Sequence, residues 1–286
     1  CSVSAKDVLG KTVSKTRRGR LMGYSAAAAG LVTLLLGAGV EVFGARTQGM
    51  EFFTLLLLAA AGTWLLAVAL FAAIVEAPGA TEGGGNALLA ALRSLAVLRS
   101  DVELRRFVVA RALLLSVALA PPFYVLLAQQ RSAGVTGLGL LIIASGLASS
   151  LSAPLWGRMG DRSSRRVMVI GAAAAGSLGL ATWMLETAGL PLMNSAWTYA
   201  GLFLLIAVFH SGVRLGRKVY LVDMATQESR SAYVAISNTV IGAAMLAGGA
   251  VGALADLLQS AGVNAILGVV SLFAAFYIAR LPEVSG

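Results

Sequence analysis

Long apolar runs alternate with short polar bends along the chain, at residues 21–44, 52–75, 107–128, 135–156, 167–186, 196–213, 232–255 and 263–280. A helix rising ~1.5 Å per residue needs about 20 apolar residues to cross a hydrocarbon core of ~30 Å. Inside hydrocarbon every backbone N–H and C=O must find its partner within the segment, so each run predicts a helix. The pattern predicts an all-α, polytopic membrane bundle of eight transmembrane helices.

The bends differ in kind. Residues 154–166 make a short basic turn that forces its two flanking helices antiparallel and holds Arg158, Asp161, Arg162, Arg165 and Arg166 at one membrane face. Residues 76–106 are longer. They open on Ala77-Pro78-Gly79 and Gly83-Gly84-Gly85, a flexible hinge, and continue with Leu88, Leu89, Leu92 and Leu95 at helical spacing beside Arg93 and Arg99. Such a segment predicts an amphipathic helix lying on the inner leaflet. The expected organisation is the last two spans of one bundle in 1–76, a linker with that helix in 77–106, and a six-helix bundle in 107–286. Arg18, Ser25, Gly30 and Gly37 recur 212 residues on as Arg230, Ser237, Gly242 and Gly249, as a truncated repeat would have it.

Composition agrees with a membrane origin: 58% of the 286 residues are hydrophobic and 12% charged, against about 25% charged in soluble domains. The net charge of +9 does not read as nucleic-acid binding, because it sits in short loops between apolar runs. Nineteen of the 22 Lys and Arg fall on one side, and only Arg46 and Arg131 on the other. The positive-inside rule then puts both ends in the cytoplasm, across a cytoplasmic (bacterial inner) membrane. Cys1 stands where Met is expected, and a lipoprotein start would place the basic residues 1–20 outside, so further chain upstream is expected. One cysteine allows no disulfide, and no metal-ligand cluster, P-loop or nucleophile elbow is present. No catalytic residue, metal or cofactor is expected.

Several polar residues inside spans carry two readings. Arg111 either snorkels from a helix end or faces a cavity with a substrate or proton role. His210, four residues before Arg214, is either a neutral hydrogen-bonding group or a proton-coupling one. Asn238 either bonds a neighbouring helix or meets substrate. Pro121 and Pro122 should kink the third span and turn Tyr124 and Gln129 toward an outer vestibule. Glu41 and Asp256 fall near outer span ends, and Gly248, Gly249 and Gly252 fit close helix packing.

The run Gly157-Arg-Met-Gly-Asp161-Arg162-Ser-Ser-Arg165-Arg166 resembles the loop signature of the major facilitator superfamily, Gly-x-Leu-x-Asp-Arg-x-Gly-Arg-Arg, with Met159 for leucine and Ser164 for the second glycine. The resemblance implies spans five to twelve of a twelve-span secondary transporter, with four spans upstream in the same protein. It implies a small-molecule substrate moved by alternating access, with a proton as the candidate coupling ion and membrane lipid as the surroundings. Asp161 would latch onto the end of the first span near Arg20 and Gly23, while Arg162, Arg165 and Arg166 hold Asp161 and lipid phosphates. The rival functions are a non-transporting sensor or scaffold with this fold, or a membrane-embedded enzyme.

Overall fold

The computed structural model describes residues 8–44, 50–75, 97–131, 136–226 and 228–285. Among them every regular element is helical: α1 (Lys15–Gly44), α2 (Met50–Ala72), α3 (Val102–Leu113), α4 (Leu115–Arg131), α5 (Thr136–Arg162), α6 (Ser164–Thr187), α7 (Ala196–Met224), α8 (Arg230–Gly248) and α9 (Val251–Ala279), with a 3-10 turn at Pro191–Asn194. Four stretches are long and apolar enough to cross a membrane, Val102–Gln130, Ser164–Thr187, Trp197–Met224 and Leu258–Ala279, and Leu57–Ala72 and Ala232–Gly248 are shorter apolar helices. The chain is a multi-pass membrane protein. The predicted hinge and most of the amphipathic helix at 86–98 lie outside the described residues, as do the side chains of Glu41, Arg46, Arg131 and Asp256.

Local chemistry sets the helix ends. Asp101 caps α3 by accepting from the Leu104 amide at 2.9 Å, and its other carboxylate oxygen accepts from Tyr233 Oη on α8. Ser163 does the same for α6, accepting from the Arg166 amide at 3.1 Å. Past the other end of α6, Gly189 takes φ +62°, the left-handed conformation that suits glycine after a helix.

Three expectations need correction. The basic bend is not a loop of a dozen residues, because α5 continues to Arg162 and α6 begins at Ser164, leaving Ser163 alone between them. Helices project beyond the hydrocarbon, so the end of an apolar run is not the end of a helix. The third span is interrupted at Leu114 (φ −68°, ψ −6°), whereas α4 runs on through Pro121 and Pro122. The break lies seven residues before Pro121, upstream of the Val117 and Ala118 carbonyls that the proline rings crowd, so the prolines do not account for it. Finally, the expected gap near 256–262 is a single residue, Gln259, whose φ of 59° breaks α9. The turn between α8 and α9, at Gly249 and Ala250, keeps nearly helical dihedrals.

Close glycine packing occurs, but not at Gly248, Gly249 and Gly252. A Cβ at Gly252 would meet nothing within 4 Å, and one at Gly248 only the Leu119 side chain. The tight contacts lie on other helix pairs, and two of these have the closest glycine-to-carbonyl approaches. Between α6 and α9, a Cβ on Gly179 would fall 2.5 Å from the Asn264 carbonyl oxygen and one on Gly176 2.7 Å from that of Gly268. Between α1 and α5, a Cβ on Gly23 would fall 2.4 Å from the Ala153 carbonyl oxygen and one on Gly157 2.5 Å from that of Gly19. Small residues of this kind let helices touch backbone to backbone. The core of α3–α9 includes Phe107 of α3 stacked on Tyr220 of α7, ring centres 5.3 Å apart.

Candidate functional site

The α1–α5 seam leads to Asp161. With glycine or alanine at positions 19, 23, 153 and 157, no side chain separates the two helices. The Asp161 carboxylate therefore reaches the start of α1. It accepts from the Gly19 amide at 2.6 Å and from the Arg20 amide at 3.2 Å, and lies 3.1 Å from Arg20 Nε. Both amides lie in the second turn of α1, where they act on the carboxylate as direct N–H donors. Burial pushes the Asp161 carboxyl above its ordinary range, while the two amides and Arg20 pull it back.

The structure brings Asp161 to Arg20 as the motif suggested, with two differences. Gly19 supplies the nearer amide, and Gly23 instead packs against the α5 backbone. Among the described residues Arg162, Arg165 and Arg166 do not hold Asp161. One residue between α5 and α6 turns Arg165 away, toward the Leu281 carbonyl oxygen at 2.7 Å and Glu283 at 3.5 Å. Arg158 reaches the Tyr24 hydroxyl at 3.2 Å instead.

A second tie joins α1 to α7, and sequence reasoning missed it. Arg18 Nη1 donates to Asp223 Oδ1 at 2.7 Å, with side chains only 6% and 1% exposed. The other Arg18 nitrogens donate to the carbonyl oxygens of Val13 and Gly10. The one available signal was an acid at the end of an apolar run, within an otherwise basic stretch.

The turn around Ser163 is gripped from a third direction. Ser163 Oγ donates to Glu283, the Ser164 amide donates to Ser285 Oγ at 3.1 Å, and Tyr220 Oη donates to the Pro282 carbonyl oxygen at 2.9 Å. Ser164, where the resembling signature has glycine, is fully buried, so its side chain fills the turn rather than loosening it.

The in-span candidates fall into two groups. Arg111 donates to Ser237 Oγ at 2.6 Å and Asn238 Oδ1 at 3.0 Å, so Arg111 and Asn238 form one α3–α8 cluster. His210 stands on the face of α7 that also carries Arg214 and Arg217, which lie within electrostatic reach of it. Tyr124 does not line a vestibule: it is 1% exposed, with its hydroxyl 3.4 Å from Thr182 Oγ1 on α6. The face of α4 that bears it packs into the bundle. Gln129 is exposed. Among the described residues no group of His, Cys, Asp and Glu is placed to hold a metal.

A helical bundle that crosses the membrane several times, with an Asp-Arg turn docked on the end of a distant helix, is the architecture of a membrane carrier rather than of a soluble domain. The chain belongs to the Major Facilitator Superfamily, whose sequence profile matches residues 106–285. The match spans α3 to α9 and leaves α1 and α2 outside it. The family's members are generally transporters, not enzymes. No curated protein matches the chain.

Proposed function

We propose that this chain forms part of a secondary active transporter that moves a small solute across the cytoplasmic membrane by alternating access. In this reading the eight predicted runs all span, both ends are cytoplasmic, and α1 and α2 close a first bundle that rocks against the six-span bundle of α3–α9. A solute or proton gradient drives the rocking.

The observation that carries the reading is the Asp161 carboxylate on the amides of Gly19 and Arg20. It acts as a latch on the cytoplasmic side, reinforced by the buried Arg18–Asp223 pair. Both contacts join α1 to the six-span bundle, so both must break for that side to open. Each state of such a cycle is populated according to the contacts it alone makes.

Purified protein from the full reading frame, reconstituted in proteoliposomes, gives the test. Asp161→Asn places an amide –NH2 where three donors converge and should slow flux while leaving the unfolding temperature near the parent's. Unchanged flux kinetics would sink the latch. Absence of gradient-driven flux for every solute class would instead favour the sensor or scaffold.

A further inference from the structure

One face of α7 carries His210, Arg214, Arg217 and Lys218, spaced four, three and one residues apart, which a helix gathers into a single stripe. Arg217 lies seven residues and Arg214 ten residues before the end of α7 at Met224, or ~10 and ~15 Å along the axis. These are not charges hanging from a helix end. The Phe107–Tyr220 stack sets α3 alongside this part of α7, and Arg111, one turn beyond Phe107, comes within electrostatic reach of Arg217.

Among the described residues the cluster lacks counter-charge. Arg217 is acted on by Arg214, and Lys218 by both Arg214 and Arg217, with no carboxylate among their influences. Among the described residues none of these four cations makes an ion pair. Arg111 spends two of its nitrogens on neutral Ser237 and Asn238, and its buried Nε has no hydrogen-bond partner. The nearest acid along α7, Asp223, is taken by Arg18. Like charges gathered on one face repel one another, and a bound anion relieves that repulsion.

A small cavity of about 40 Å³ touches the stripe between α1 and α7, lined by Met22, Ala26, Ser211, Arg214, Leu215 and Lys218. It holds about one water. Arg214 and Lys218 line its wall beside α1 and are otherwise exposed, so an anion can reach them from the cytoplasmic side.

We propose that Arg111, Arg214, Arg217 and Lys218 form the binding site for an anionic group, a carboxylate or phosphate, on the transported solute. The inference rests on the transporter reading and adds the substrate class. Guanidinium forks match the planar oxygen pairs of such groups, and two helices that approach and separate give the anion a way in and out.

The experiment uses the protein of the full reading frame in phosphatidylcholine nanodiscs, with thermal unfolding followed at constant ionic strength. Citrate and inorganic phosphate are expected to raise Tm saturably, and glucose and tetraphenylphosphonium to leave it unchanged. Arg217→Gln should weaken the anion response about tenfold or more, the scale of a lost hydrogen bond to a charged group. It should also leave the ligand-free Tm equal to the parent's or higher, because it relieves repulsion. Arg217→Lys should keep most of the response. No anion-dependent shift, or a shift with glucose or tetraphenylphosphonium instead, overturns the proposal. A shift seen only when phosphatidylglycerol replaces phosphatidylcholine assigns the cluster to lipid headgroups and overturns the solute claim. Proteoliposome flux separates the two inferences. Gradient-driven flux confined to neutral or cationic solutes removes the anion site and leaves the transporter. An anion-stabilised protein with no flux of any solute keeps the site and removes the transporter.

Discussion

Among the described residues, α6 with α9 and α1 with α5 both pack through glycines set against the facing backbone, and of these two seams only the second ends in charge. Gly176, Gly179 and Gly268 bring α6 and α9 together within the region that the family profile covers. Gly19, Gly23 and Gly157 do the same for α1 and α5, but that seam runs into Asp161, and beside it lies the Arg18–Asp223 pair. Glycine packing gives close van der Waals contact without direction. Charge at the end of a seam adds a contact whose strength depends on solvent and geometry, so it can be lost without unfolding anything. In the proposed cycle the same packing device would serve a fixed contact in one place and a separable one in the other.

The largest test of that distinction is Asp223→Ala, which leaves the buried Arg18 guanidinium unpaired at a cost of about 3–5 kcal/mol. The expected result is a spread of α1 from α7, measured by spin-label distances, with a drop in Tm. Replacing both partners, Arg18→Met with Asp223→Leu, should recover most of the loss. If the single and double variants behave alike, the pair does not hold α1.

Overpacking comes next. Gly179→Leu should destabilise the fold by about 1–3 kcal/mol in thermal unfolding, since the Asn264 backbone has nowhere to go. Gly23→Leu should hold α1 off α5 and leave Tm near the parent's. A cysteine at Ser150, in a background with Cys1 replaced, would then react faster with a water-soluble maleimide. Equal losses of Tm in the two variants would make the seams equivalent. Smaller still is Asp161→Asn, worth about 0.3–1 kcal/mol of the docked state, or a two- to fivefold shift in the spin-label populations. The smallest is Glu283→Ala. Its pair with Arg165 is nearly a third exposed and contributes at most about 1 kcal/mol. Because it grips the Ser163 turn and not α1, it should lower Tm slightly and leave the α1–α5 distance unchanged.

How legible all this was depends on the range of the interaction. Apolar runs located the helices, because hydrocarbon punishes any other backbone, but not their ends: α7 continues eleven residues past its run and α9 begins twelve before its own. The motif directed attention to Asp161 and the start of α1, although the nearer amide belongs to Gly19. The four-residue spacing of Gly19 and Gly23 is a small-x-x-x-small pattern that could have marked the seam. Arg18 and Asp223 lie 205 residues apart, and nothing local pairs them. Tyr124 was misplaced because an apolar run shows no periodicity to say which face turns inward. Arg214, Arg217 and Lys218 read as topology signals, and only the approach of Arg217 to Arg111 in space makes them candidates for the proposed anion site.

The lone residue between α5 and α6 has a mechanical consequence. With Ser163 as the whole linkage, and the chain after α9 clasping it through Glu283 and Ser285, α5 cannot swing without carrying α6, and α6 carries α9 through their glycines. In the proposed cycle, lifting α5 from α1 would therefore move α6 and the part of α9 beyond the Gln259 break as one lever whose short arm is Asp161.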